Sequence, residues 1–223
     1  PEPIRQLRDL TRYQKRLIQD RTRESNRVAK VLEDAVIKLG SVASDVLGVS
    51  SRAMIEALIA GERDPEKLAQ LAKGQLRNKI PDLVKALDGR FGDHHATMLR
   101  LHLDHVDYLD ESIEKLEARI DQLMGPFGQA RDLLCTIPGV GQRVANVILA
   151  ETGGDMSRFP TAGHLASWAG LSPGNDESAG KRRNTRTRPG NVWLTDALTQ
   201  AAWSAARSKD NFLHARFWRL ARR

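Results

Sequence analysis

The chain has 223 residues, of which 40% are hydrophobic and 28% charged, with 35 Lys/Arg against 28 Asp/Glu for a formal charge of +7. That length supports one large domain or two modest ones, and the composition sets aside a disordered polymer. No apolar run approaches the roughly 20 residues of a transmembrane helix and no signal pattern stands at the start, so no membrane partner and a cytoplasmic location are expected.

The charge is unevenly spread. Residues 1–30 hold nine Lys/Arg against four Asp/Glu, residues 203–223 hold six against one, and residues 94–125 hold three against seven. Basic ends around an acidic middle suggest polyanionic partners for the ends and a separate role for the middle. The single Cys135, among Leu133, Leu134 and Ile137, excludes an intrachain disulfide and is expected to be a buried thiol. The chain opens at Pro1 without Met, already within a helical pattern, which raises the expectation of a fragment.

From Ile4 to about Gly40 the apolar positions Leu7, Leu10, Leu17, Val28, Val31, Leu32 and Ala35 predict one long helix. Three shorter helices follow: one capped by Ser50 or Ser51, one started by Asp64-Pro65, and one opened by Pro81 and stopped at Gly89. Over residues 94–124, Leu99, Val106, Leu109, Ile113, Leu116, Ile120 and Leu123 fall on heptad positions a and d, interrupted by His102. This pattern predicts a coiled coil, either with the first helix or between chains of a homo-oligomer. The alternative is one helix packed on a globular core.

Gly125-Pro126 marks the expected boundary between a helical, coiled-coil oligomerisation region (1–125) and a C-terminal domain (126–223). In the latter, short helices are predicted from Gln129, through Val144 to Glu151, over Thr161–Ala169, after a capping Asn191, and at the C-terminus, where Arg216, Arg219 and Arg223 share one side. The stretch from Ser172 to Gly190 is polar and basic and reads as a functional loop. No strand is predicted, and the fold class is all-α: long coiled-coil helices followed by a small helical domain.

Ile137-Pro138-Gly139-Val140-Gly141 between two helical segments has the pattern of a helix-hairpin-helix. Its glycines permit tight turns, and amides at the following helix N-terminus can point at a phosphate oxygen. Gly139, Val140, Gly141 and Arg143 are therefore candidate DNA-backbone contacts; the bland reading is a turn used for packing. Lys181, Arg182, Arg183, Arg186 and Arg188 form a second candidate phosphate site, since guanidinium groups bind phosphate bidentately, although a solvated charge run is the alternative. Ser178 stands just before them, flanked by small residues; taken alone it is one serine among many, because a hydroxyl needs activation to attack. His94, His95, His102 and His105 are close in sequence, but His102 reads as a polar seam residue, and no metal site is expected.

Taken in order, Leu134-Cys135-Thr136-Ile137-Pro138-Gly139-Val140-Gly141, Phe159, Leu165-Ala166-Ser167-Trp168-Ala169-Gly170-Leu171-Ser172-Pro173, Ser178-Ala179-Gly180 and Arg188-Pro189-Gly190-Asn191 resemble the C-terminal domain of DEDD transposases. These are bacterial insertion-sequence recombinases described as guided by a bridge RNA. The run Arg5-Gln6-Leu7-Arg8-Asp9-Leu10, with Arg12, Arg21, Arg23 and Lys38-Leu39, resembles the helical segment that precedes that domain. The resemblance implies DNA and guide RNA as partners and a covalent phosphoserine intermediate at Ser178. It also implies that Mg²⁺ belongs to a resolvase-like acidic domain not contained in these residues, so no cofactor is expected within the chain. Two rivals remain at this point: a non-catalytic DNA-binding adaptor and a coiled-coil interaction protein.

Overall fold

The computed structural model describes residues 2–172, 174, 176–184 and 186–222, with backbone alone for 176, 177 and 182–184. In chain order the helices are α1 (Glu2–Asp34), α2 (Leu39–Val42), α3 (Val49–Ile59), α4 (Pro65–Ala69), α5 (Ile80–Leu87), α6 (Asp93–Leu123), α7 (Gly128–Cys135), α8 (Gln142–Thr152), α9 (Ala162–Trp168), α10 (Val192–Arg207) and α11 (Phe212–Ala221). The all-α class holds, with one correction. The stretch expected to be a strandless loop contains a hairpin of β1 (Asp176–Ser178) and β2 (Lys181–Asn184). Its residues have poor strand propensity; the two-residue turn that brings the strands together decides the structure.

Contacts divide the chain into residues 15–115 and a second unit made of 1–14 with 116–223. In the first, Val28, Leu32, Met54, Ile55, Leu58, Leu68, Leu83, Leu87, Leu99 and Leu103 form one buried core. Asp64 caps α4 by accepting from the Glu66 amide, and Pro81 stands in the first turn of α5, both as expected. Helix α1 ends at Asp34, short of Gly40. The Ile37 amide donates back to the Leu32 carbonyl at 2.9 Å, and Val36 takes φ 62, the left-handed position that usually selects glycine. This costs about 1–2 kcal/mol, but the turn buries Ile37 and Leu39, each worth roughly 1.5–3 kcal/mol. Burial therefore overrides local preference.

Along α6, Leu99, Val106, Leu109, Ile113 and Ile120 are buried, while Leu116 and Leu123 are half-buried. The heptad seam is thus covered within the chain itself. Arg21 of α1 pairs with Asp110, and the buried Glu24 meets His105 at 2.5 Å, His102 at 3.4 Å and Arg27 at 3.0 Å. The polar position His102 thereby finds an acidic partner on α1. Burial works to raise the Glu24 pKa, but hydrogen bonds from His105 and Arg27 outweigh it and hold the group below the usual glutamate value.

In the other unit, Ile4, Leu7, Ile120, Met124, Leu149 and Ala150 form one cluster, and Val140, Ala145 and Ala201 a second. Asn191 caps α10 by accepting from the Trp193 and Leu194 amides, and Thr161 caps α9 by accepting from His164. Cys135 is half-buried, a departure from the buried thiol expected from its apolar neighbours. Among the described residues no helix is long and apolar enough to cross a membrane.

Candidate functional site

In the hairpin, Ser178 pairs with Lys181 and Glu177 with Arg182, with an irregularity between Asp176 and Glu177. The linking residues, Ala179 and Gly180, both have positive φ, at 52 and 73. Two positive φ values in a two-residue loop are the mark of the turn that matches strand twist. Alanine in the first of these positions is strained, a condition that persists where surrounding structure imposes it and that recurs at functional sites. Ser178 is exposed at the end of β1, directly opposite the exposed Lys181. Directly opposed strand residues lie about 4.5–5.5 Å apart at Cβ, so the serine and the lysine side chains start from neighbouring positions.

Arg186 and Arg188 follow as exposed residues. The Gly174 amide donates to the Arg186 carbonyl at 2.9 Å and closes the base of the hairpin. For Arg182 and Arg183 the backbone lies in β2, while their side chains fall outside the described residues, as do Pro173 and Arg223.

The motifs flanking the hairpin pack on each other. A Cβ on Gly190 would lie 2.3 Å from the Gly170 nitrogen, so only glycine permits this backbone crossing. The Asn191 amide donates to the Trp168 carbonyl at 3.1 Å, and the Thr195 hydroxyl donates to the Ala169 carbonyl. Phe159 and Trp168 pack as a tilted pair with ring centroids 5.3 Å apart. The hairpin is therefore held at both ends by α9 and the start of α10.

The turn between α7 and α8 divides its candidate residues into two groups. At Gly139, φ is 87 and an added Cβ would lie 2.2 Å from the Ala201 carbonyl oxygen of α10; Val140 is buried beside it. These two residues pack. Gly141 is the N-cap of α8 and has open space where a side chain would stand. The first amides of a helix have no intrahelical acceptor, so this end of α8 suits an anion. Arg143 is paired with Glu117 and remains about half exposed.

Sequence reasoning missed a buried centre at Glu151, the last charged residue of α8. Arg12 donates to it from Nε at 2.7 Å and Nη2 at 2.8 Å, and the Asn191 side-chain Nδ2 donates at 2.7 Å. Arg8 donates to the carbonyls of Ala150 and Glu151, each at 3.3 Å. The Glu151 hydrogen bond holds Arg12 still more firmly protonated than an ordinary arginine. A carboxylate ending the apolar run Val147-Ile148-Leu149-Ala150 was the available signal, since a buried charge requires partners. Among the described residues no three His, Cys, Asp or Glu side chains assemble as a metal site.

Residues 131–217, which contain the α7–α8 turn, the hairpin and α10, match the transposase IS116/IS110/IS902 family. The chain is 39% identical over 95 residues to the insertion element IS110 43.6 kDa protein of Streptomyces coelicolor, covering 42% of this chain and 23% of that one. It is 37% identical over 78 residues to the pilin gene-inverting protein of Moraxella bovis, covering 34% and 24% respectively. A longer match, 29% identical over 185 residues, joins it to the insertion element IS900 42 kDa protein of Mycobacterium paratuberculosis, covering 75% of this chain and 45% of the relative. The chain therefore spans less than half the length of the curated relatives it matches. No solved structure matches it.

Proposed function

We propose that this chain is the DNA-binding and strand-exchange part of a transposase or DNA-inverting recombinase, and that Ser178 is its nucleophile. The observation that carries the reading is the pairing of exposed Ser178 with Lys181 at the tip of a strained hairpin, inside the stretch that matches a transposase family. The Ser178 oxygen attacks a backbone phosphorus, the bond from phosphorus to one sugar oxygen breaks, and that oxygen leaves with the proton the serine gives up. The DNA is then held as a phosphoserine ester, which a sugar hydroxyl of another strand attacks to restore the diester and release the serine. Lys181, with Arg182, Arg183, Arg186 and Arg188 around the phosphate, offsets the charge that develops on its oxygens.

The open N-terminus of α8 at Gly141 grips a second phosphate, with Arg143 near it, while Gly139 and Val140 serve that grip from beneath by fixing the turn on α10. Metal chemistry belongs to residues outside this chain, where Mg²⁺ is expected. A guide RNA and further copies of the chain are the partners we assign to the complete recombinase.

The test is recovery of a covalent protein–DNA adduct from the complete protein with Mg²⁺ and substrate DNA, followed by peptide mapping. The adduct is expected on Ser178 and absent from Ser178→Ala. Mapping to another residue, or recombination by Ser178→Ala, would reject the assignment. The second reading, a non-catalytic DNA-binding adaptor, is favoured by the open end of α8 alone, and predicts DNA binding with no adduct under any condition.

A further inference from the structure

The last two helices carry an exposed row of rings that neither the hairpin nor the α7–α8 turn uses. Trp203 on α10 is 54% exposed, and on α11 Phe217 is 36% and Trp218 is 47% exposed. Ring centroids lie 5.8 Å apart from Trp203 to Phe217 and 5.4 Å from Phe217 to Trp218, with His214 a further 6.3 Å along. Helix α11 is fastened rather than loose: Asn211 caps it by accepting from the His214 amide, and His214 Nδ1 lies 2.7 Å from the Ala206 carbonyl of α10. Yet α11 buries none of its side chains fully.

The stretch of sequence that carries these rings is cationic. Between residues 203 and 223 the chain carries Arg207, Lys209, Arg216, Arg219, Arg222 and Arg223 against the lone acid Asp210. Arg207 lines a shallow groove with Trp203, Gln200, Ser204 and Ser208. Rings accompanied by cations suit a ligand that offers flat apolar faces and regularly spaced phosphates. A duplex hides its base faces in the stack; an unpaired strand presents them.

We propose that the face formed by α10 and α11 binds an unpaired nucleic-acid strand. Bases stack on Trp203 and Trp218, and Arg207, Arg216 and Arg219 meet the phosphates. This rests on the reading of the chain as a nucleic-acid protein and adds to it a site on other elements than the hairpin. It would hold a strand released during exchange, or the single-stranded part of an RNA, through the same stacking chemistry.

The experiment titrates the full chain with fluorescein-labelled oligothymidylate, oligouridylate and a duplex of equal length. Both single strands are expected to quench tryptophan emission and to bind less tightly as salt rises. Trp203→Ala and Trp218→Ala each weaken single-strand binding about tenfold, the phenylalanine variants restore most of it, and duplex affinity changes little. Undiminished single-strand binding by both alanine variants overturns the site. So does a fall in sedimentation mass without a change in affinity, which would mean that the rings cover a second copy. Should the alanine variants lose helicity, the decision passes to Arg216→Gln with Arg219→Gln, for which unchanged affinity also overturns it. Ser178→Ala leaves this binding intact. A missing serine adduct with intact strand binding thus rejects the catalytic reading alone, and the converse rejects this site alone.

Discussion

Arg12 holds Glu151 through two parallel hydrogen bonds, at 2.7 and 2.8 Å, across 139 residues of chain. The same carboxylate accepts from Asn191, whose own oxygen caps α10. One buried anion therefore ties the start of α1, the end of α8 and the residue that follows the hairpin segment. Such a group is indispensable once buried, because removing a partner leaves a charge without compensation.

Arg12→Ala is accordingly expected to lower stability by about 2–3 kcal/mol, toward the smaller end for a buried pair because the arginine is partly exposed. Arg12→Lys should recover only part of this, since an ammonium cannot reproduce the fork. Urea denaturation of the three proteins checks the order; equal stabilities would show that Arg8 and Asn191 satisfy Glu151 without Arg12.

Val36→Gly should stabilise the protein by about 0.5–1 kcal/mol. The substitution relieves a β-branched residue at φ 62, and the side chain lost is half exposed. The gain appears as a higher urea midpoint at unchanged slope. A lower midpoint would mean that the valine side chain contributes more than its backbone strain removes.

The two glycines of the α7–α8 turn should separate cleanly. Gly139→Ala drives a methyl into the Ala201 carbonyl and is expected to cost roughly 2 kcal/mol or more of stability. Gly141→Val meets open space with ordinary backbone angles, so thermal unfolding should be almost unchanged while duplex affinity falls. Full affinity in the valine variant would reduce the turn to a packing element.

Glu24→Gln should lower stability at neutral pH, and the gap from the parent should close in acid. The folded carboxyl lies below its ordinary pKa, so its contribution is complete above the ordinary value and is lost as pH falls through the folded one. His102, His105 and Arg27 face the group and are common to both proteins, so the difference between them isolates Glu24. Denaturation at pH 7 and through the carboxylate range is the measurement; a constant gap would assign the role to hydrogen bonding rather than charge.

Leu103→Ala is expected to cost about 2–5 kcal/mol, because the side chain is fully buried within the chain's own core. Light scattering should show unchanged particle mass in the folded protein. A fall in mass with intact helicity would place this side of α6 between copies instead.

Helix identity and two of the helix starts were legible in the sequence, since periodicity at α6, the Asp64-Pro65 start and the Asn191 cap are local properties of neighbouring residues. The cap expected at Ser50 or Ser51 was not, because α3 begins at Val49 behind Gly48 and takes both serines into the helix. The family resemblance was legible for a similar reason, being carried by short contiguous motifs, several of which prove to be places where backbones cross, as at Gly170 and Gly190. Three things were not. The end of α1 at Asp34 depends on burying Ile37 and Leu39 in a core assembled from distant helices. The hairpin depends on a turn whose first residue, alanine, gives no signal for positive φ. The Glu151 centre depends on arginines 139 and 143 residues away that only the fold brings within reach. Local chemistry writes itself in sequence at the spacing of a helix turn; a buried charge, an overridden helix end and the two faces of a glycine turn are decided by what packs against them.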